Sequence, residues 1–284
     1  MPKITKKTLN CRGRLLDLTQ PAVMGILNIT PDSFFSGSRV SLAQAVDTVQ
    51  QMLDDGASFI DIGGYSTRPG AATVSPTEEA DRVLPIIETL SSTFPDALIS
   101  IDTFRASVAR QAVTSGAAII NDVSGGTLDS AMFTTVAELS QSKAVPYILM
   151  HLRGTPQTMQ SLATYQNVVT EVIDELAVRL AELRSLGAKD IILDPGFGFA
   201  KTPVQNFELL HHLTAFRVFE EPVLVGLSRK TTIWKTLNIK PEEALNGTTV
   251  LNTVALLNGA SILRVHDVRE AVEAIKLTQQ LTFF

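Results

Sequence analysis

The chain has a single cysteine, Cys11, among its 284 residues, so no disulfide can close within it. A reducing, cytoplasmic setting is the expectation that follows. No apolar stretch approaches the ~18 residues that a membrane-spanning helix requires. The basic start, Met1-Pro2-Lys3-Ile4-Thr5-Lys6-Lys7, has no apolar run behind it, which argues against a secretory signal. There is no basic block either: Lys and Arg number 24 against 29 Asp and Glu, for a formal net charge of −5. Neither nucleic acid nor membrane is therefore an expected partner, and any anionic ligand must be held by local Arg and Lys. Charged residues amount to only 19%, too few for a disordered chain.

What is present is apolar. Hydrophobic residues make up 45% of the chain, enough for a large core. A loose repeat organises them. Gly56-Ala57-Ser58-Phe59-Ile60-Asp61, Gly116-Ala117-Ala118-Ile119-Ile120-Asn121, Gly187-Ala188-Lys189-Asp190-Ile191-Ile192-Leu193-Asp194 and Gly259-Ala260-Ser261-Ile262-Leu263-Arg264 share one form. Each opens on a glycine that can end a helix, runs on as a strand buried on both faces, and closes on a polar residue. Runs from Ala22 to Asn28, Ala97 to Asp102, Pro146 to His151 and Pro222 to Ser228 follow the same pattern without the leading Gly-Ala. That makes about eight strands, the number that closes a parallel barrel.

Helical patterns separate the strands. Ser75-Pro76-Thr77-Glu78 reads as a capping box ahead of Ala80, Val83, Leu84, Ile87 and Leu90. A second stripe, predicted over Tyr165 to Leu186, carries Val169, Val172, Ile173, Leu176, Leu180 and Leu183, and Asp267 is placed to cap a last helix. The alternation predicts an α/β fold, a single (β/α)8 barrel over residues 21–284. Residues 1–20 are read as a short hairpin extension turning near Asn10-Cys11-Arg12-Gly13 and covering the barrel bottom. A doubly wound open sheet is the rival architecture. The lack of a Gly-x-Gly-x-x-Gly after any predicted strand weakens it.

In such a barrel the chemistry sits at the C-terminal ends of the strands. Those ends carry Asn28, Asp61, Asp102, Asn121, His151, Asp194, Ser228 with Lys230, and Arg264 with His266. Taken singly, each could be a helix cap or a structural ion pair. A whole ring converging on one mouth reads as a polar small-molecule pocket. Two loops, Asn28 to Gly37 and Gly63 to Gly70, are long or glycine-rich and suit a lid over an anion. His211 and His212, in a predicted helix, and Trp234 read as surface or packing residues, and Cys11 as an inert thiol.

These segments together resemble the dihydropteroate synthase family. The matching stretches are Met24-Gly25-Ile26-Leu27-Asn28-Ile29-Thr30-Pro31-Asp32-Ser33-Phe34, Gly63-Gly64-Tyr65-Ser66-Thr67-Arg68-Pro69-Gly70, Ser100-Ile101-Asp102-Thr103 and Ile119-Ile120-Asn121-Asp122. Leu149-Met150-His151, Leu193-Asp194-Pro195-Gly196-Phe197-Gly198-Phe199, Gly226-Leu227-Ser228-Arg229-Lys230 and Arg264-Val265-His266-Asp267 complete the family order. Three positions depart from it. Tyr65 stands where the family usually has Glu, Phe35-Ser36-Gly37-Ser38 replaces Ser-Asp-Gly-Gly, and Thr231 replaces Ser.

The resemblance implies condensation of 6-hydroxymethyl-7,8-dihydropterin diphosphate with 4-aminobenzoate to 7,8-dihydropteroate and pyrophosphate, by a dissociative, SN1-like path. It assigns the pterin to Asp102, Asn121, Met150, Asp194, Phe199, Gly226, Lys230 and Arg264. Diphosphate falls to Asn28, Thr67, Arg68, Arg264 and His266, and aminobenzoate to Phe34, Thr67, Pro69, Lys230 and Thr231. Asp102, Arg68, Lys230 and Asp32 are the implied catalytic groups, with Mg2+ on Asn28. A homodimer, and sensitivity to sulfonamide mimics of aminobenzoate, are further family traits. The rivals are a pterin-binding methyltransferase passing methyl to a corrinoid, a Schiff-base aldolase using Lys230, and a non-catalytic pterin binder. The Ser228-Arg229-Lys230 and Arg264-Val265-His266-Asp267 segments speak against the first.

Overall fold

The computed structural model describes residues 7–29, 39–65 and 74–281. An antiparallel hairpin comes first, β1 (Thr8–Cys11) and β2 (Arg14–Asp17). Its turn is made by Arg12 and Gly13, both at positive φ (56° and 89°), which matches the twist of a two-residue hairpin loop. The Asn10 side-chain oxygen accepts the Gly13 N–H at 2.7 Å.

Eight parallel strands follow: β3 (Ala22–Asn28), β4 (Phe59–Gly63), β5 (Leu98–Asp102), β6 (Ile119–Asp122), β7 (Tyr147–Met150), β8 (Ile191–Asp194), β9 (Leu224–Val225) and β10 (Ile262–Val265). Neighbours in sequence are neighbours in space, and β10 returns to pair with β3. The ring closes where the Leu193 N–H meets the Pro222 carbonyl at 2.9 Å, a parallel bridge of Leu193 to Val223 beside the short β9. A (β/α)8 barrel with an N-terminal hairpin is therefore present, as expected.

The helices between the strands are α1 (Arg39–Asp54), α2 (Pro76–Thr93), α3 (Ala106–Ser115), α4 (Met132–Lys143), α5 (Val168–Ser185), α6 (Pro203–His211), α7 (Thr231–Leu237), α8 (Leu245–Leu257) and α9 (Val268–Leu281). The strands are buried on both faces because the helices cover the outside while side chains fill the inside. The repeat glycines Gly56, Gly116, Gly187 and Gly259 all lie at positive φ, where the chain leaves a helix for the next strand. At Gly116 a Cβ would stand 2.1 Å from the Ser91 hydroxyl oxygen, so this reversal admits no side chain.

One local expectation is corrected. The helix predicted from Tyr165 begins at Val168, because Asn167 accepts the Thr170 N–H and caps it. Tyr165 lies outside, under the Arg153 guanidinium at 3.9 Å and bonded to the Ala200 carbonyl. Asp267 stands immediately before α9, as expected, with its carbonyl accepting the Ala271 N–H at 3.3 Å. Its two carboxylate oxygens accept from Arg229 at 2.5 and 3.0 Å, a bidentate pair.

The hairpin does close the barrel bottom. Leu9 and Cys11 pack with Phe59, Leu98, Ile119, Ile148, Ile192, Leu224 and Ile262, from the starts of the strands. Each large apolar side chain taken from water there is worth ~1.5–3 kcal/mol. The polar ends of the same strands face the opposite mouth.

Candidate active site

Arg264 is the hub of the mouth. Its Nε donates to Asp61 Oδ2 at 2.7 Å and its Nη2 to Asp102 Oδ2 at 2.8 Å, so one guanidinium spans β4 and β5 from β10. Asn121 on β6 donates through Nδ2 to the same Asp61 Oδ2 at 2.9 Å. Asp61 is fully buried, and its Oδ1 has no hydrogen-bond partner among the described residues. Burial opposes the charge on Arg264, but Asp61 and Asp102 outweigh it and hold its pKa above the usual value. Burial pushes Asp102 up to about 7, against the pull of Arg264 and with the push of Asp61 behind it.

A second group faces the hub from β8 and the β9–α7 turn. Asp194 is buried and accepts the Gly196 N–H on Oδ1 at 2.7 Å. Burial raises its pKa, opposed first by Lys230. Lys230 is held down to about 8, burial being the main cause. Its Nζ bonds the Phe197 carbonyl and lies 4.7 Å from the centre of the Phe199 ring. Gly226 sits between the two groups. A Cβ there would lie 3.7 Å from Lys230 Nζ and 3.9 Å from Arg264 Cβ, inside the slot. Met150 belongs to an apolar cluster with Val123, Leu152 and Met159, against which Phe199 and Phe104 pack. The result is a flat apolar wall edged by acceptors and donors.

The rim is more exposed. Asn28 ends β3 with its side chain in solvent. Its Oδ1 and the Asp102 carboxylate lie at nearly equal distance, 3.8 and 3.7 Å, from the point where a Gly63 Cβ would stand. A single neutral carbonyl oxygen suits Mg2+ that shares its shell with phosphate and water. Among the described residues no group of three or more His, Cys, Asp or Glu is arranged to hold a metal. His266 Nδ1 lies 3.0 Å from the Ser228 hydroxyl. Thr231 is exposed at the first position of α7, with Lys230 as its N-cap.

The structure thus brings together Asp102, Asn121, Met150, Asp194, Phe199, Gly226, Lys230 and Arg264, with Asn28, His266 and Thr231 at the rim. Asp32 and Phe34 of the first loop, and Thr67, Arg68 and Pro69 of the second, lie outside the described residues. Three groups carry more than the sequence assigned them. Asp61 was legible only as one more strand end, yet it anchors both Asn121 and Arg264. His151 turns away from the mouth into a buried contact with Glu175 and Lys201, and Lys201 follows the Gly-Phe-Gly-Phe loop with no pattern to mark it. His211 and His212 are exposed and meet edge to face, ring centres 4.6 Å apart. Cys11 is buried and its pKa is raised to about 12, as an inert thiol should be.

Residues 24–266 match the family of pterin binding enzymes. The dihydropteroate synthase of Escherichia coli (strain K12) is 43% identical over 274 residues, 95% of each chain. The Yersinia pestis dihydropteroate synthase, solved with a sulfonamide drug complex, superposes with a TM-score of 0.90 at 40% identity, covering 98% of this chain and all of that one. The Xanthomonas albilineans dihydropteroate synthase, solved with 4-aminobenzoic acid, gives 0.89 at 39% identity, with 98% and 99% coverage.

Proposed function

The chain belongs to the family of pterin binding enzymes, and from that premise we propose how its strand ends carry out the dihydropteroate synthase reaction. It is a transferase of folate synthesis: 6-hydroxymethyl-7,8-dihydropterin diphosphate and 4-aminobenzoate give 7,8-dihydropteroate and pyrophosphate. The observation that carries this reading is the buried Asp194 drawn on first by the Lys230 charge, with Lys230 lying on the Phe199 ring beside the Met150 cluster. A pterin is flat, with an amino group and a ring N–H on one edge and a carbonyl and ring nitrogen on another. Asp194 accepts from the first edge and Lys230 donates to the second. Asn121 spends one amide hydrogen on Asp61 and keeps its oxygen for the ring. Arg264 makes its bonds in the guanidinium plane, which leaves a face for stacking on the pterin.

The arylamine nucleophile is already neutral at pH 7, so the demanding step is rupture of the C–O bond to diphosphate. The bonding pair leaves with pyrophosphate and the dihydropterin ring carries the cation. The amine lone pair then forms the C–N bond, and the amine proton is lost. Asp102 faces the cation with its unshared oxygen, while Arg264, His266 and Arg68 hold the leaving group. Mg2+, carried on Asn28, would neutralise charge on the diphosphate when bound. Asp32 and Phe34 of the first loop and Thr67 and Pro69 of the second complete the aminobenzoate site beside Lys230 and Thr231. A cytoplasmic location and a homodimer belong to the same proposal. Val250 and Leu257 on α8 and Leu277 on α9 are exposed apolar side chains that an interface could cover.

The test is a pyrophosphate-release assay with the purified chain, both substrates and Mg2+. One pyrophosphate per dihydropteroate, with dihydropteroate absent when aminobenzoate is withheld, is the expected result. Methyl transfer to a corrinoid, or no turnover of a folded chain, would overturn the reading.

A further inference from the structure

Lys201 lies beneath the slot, buried, one residue beyond Ala200, whose φ of 47° is unusual for a residue with a Cβ. Its ammonium has three hydrogens and three acceptors. These are the Gly196 carbonyl at 3.1 Å, the Phe199 carbonyl at 3.2 Å and His151 Nδ1 at 3.0 Å. The first two acceptors are the two ends of one turn, since the Phe199 N–H bonds the Gly196 carbonyl. The same turn is touched from the other side by Lys230, through the Phe197 carbonyl. It has little room to shift. A Cβ on Gly196 would meet the His151 carbonyl oxygen at 2.1 Å, and one on Gly198 would meet Lys230 Cδ at 2.9 Å.

The third contact sets the state of His151. With Nδ1 accepting from Lys201, the ring proton must sit on Nε2, which then donates to Glu175 Oε2 at 3.1 Å. Glu175 also takes Arg153 Nε at 2.9 Å. Burial, then the Lys201 charge, lower the His151 pKa to about 4, so the ring is neutral at ordinary pH. The charges that bear on Lys201 from around it are Asp194, Lys230, Glu175 and Arg153.

We propose that Lys201 is a positioning residue for the pterin slot: its buried ammonium ties both ends of the 196–199 turn, and so fixes the Phe199 wall and the carbonyl that orients Lys230. Its function in catalysis rests on the pterin reading above; its hold on the turn does not. It touches no substrate. Its charge also joins Lys230 in favouring the ionised, accepting form of Asp194. The His151–Glu175 pair is the counterweight that lets a cation stay buried there.

Three measurements test this at pH 6.5. Hydrogen exchange of the peptide spanning 195–201 should quicken at least tenfold in Lys201→Met, with the peptides of β3 to β6 unchanged. In turnover, KM for pterin diphosphate should rise at least tenfold in Lys201→Met while KM for aminobenzoate stays within threefold. Lys201→Gln, which keeps two N–H donors, should recover part of that loss. The third measurement uses the unaltered protein, so it stands if the variants fail to fold. Nitrogen-15 spectra should show His151 as the neutral Nε2–H tautomer. Unchanged exchange in the turn, equal rises in both KM values, no recovery in Lys201→Gln, or a His151 proton on Nδ1 would each overturn the proposal. An enzyme that shows the exchange and tautomer results but binds no pterin would contradict the pterin reading alone.

Discussion

Arg264 and Asp61, 203 positions apart in the chain, meet at 2.7 Å across the barrel mouth. The carboxylate that receives the guanidinium also receives Asn121, so one buried group orients two sides of the slot. Removing one partner of a buried pair leaves the other charge uncompensated, which costs about 3–5 kcal/mol. Asp61→Ala should therefore lower stability by that order, visible as a lower denaturant midpoint at unchanged slope. Asp61→Asn keeps the shape and one acceptor. It should fold, with pterin-analogue affinity lowered about tenfold or more, as calorimetry would read. Wild-type affinity in Asp61→Asn would mean that Asn121 and Arg264 need no such anchor.

Arg68 and Lys230 should separate in kinetics. Lys230 stands at a strand-to-helix junction against the Phe199 ring, whereas Arg68 belongs to the glycine- and proline-bounded second loop. Arg68→Ala should lose ~10²–10³ in kcat while a pterin analogue without diphosphate binds nearly as before. Lys230→Ala should weaken that analogue directly. Equal loss of analogue binding in both variants would remove the division between leaving-group and ring contacts.

Stability should depend on pH through the groups beneath the slot. His151 is held at about 4 in the folded protein against an ordinary 6.5. Between those values the unfolded chain binds a proton that the folded one refuses, so His151 contributes a rise in stability with pH of on the order of 3 kcal/mol. It is opposed over the same range by Asp102, which keeps its proton in the folded protein up to about 7. Lys201, held at about 7 against 10.5, gives a second rise from about pH 7 to 10.5. Chemical denaturation followed from about pH 7 to 10 should show this second rise, and Lys201→Met should flatten it. A stability profile identical in that variant would contradict the assignment.

Much of this is legible in the sequence. The strands announced themselves because a strand buried on both faces is a short unbroken apolar run, and a polar residue closing such a run has little reason to be there except the mouth. Asp102, Asn121, Asp194 and Arg264 are all found by that one argument. Partnerships were not readable. Asp61 closes its run as Asp102 does, and only the barrel's closure shows that it faces Arg264 and Asn121 together. His151 obeyed the same rule and turned inward, because the reversal at Ala200 brings Lys201 beneath it. Asp267 does stand at the start of the last helix, but its carboxylate is also taken by Arg229, a partner 38 positions away that no local pattern shows. Contacts between elements are set by packing, and a linear pattern does not carry them.

The account rests most heavily on Asp194 as the acceptor that reads the pterin edge, and calorimetry of Asp194→Asn with a pterin analogue tests this directly. The exchange turns one acceptor into a donor facing ligand N–H groups, a mismatch costing on the order of 1–3 kcal/mol or more. Affinity should fall by at least tenfold in a protein whose unfolding transition shows it correctly folded. An Asp194→Asn protein that binds the analogue as tightly as the unaltered chain would contradict the central claim.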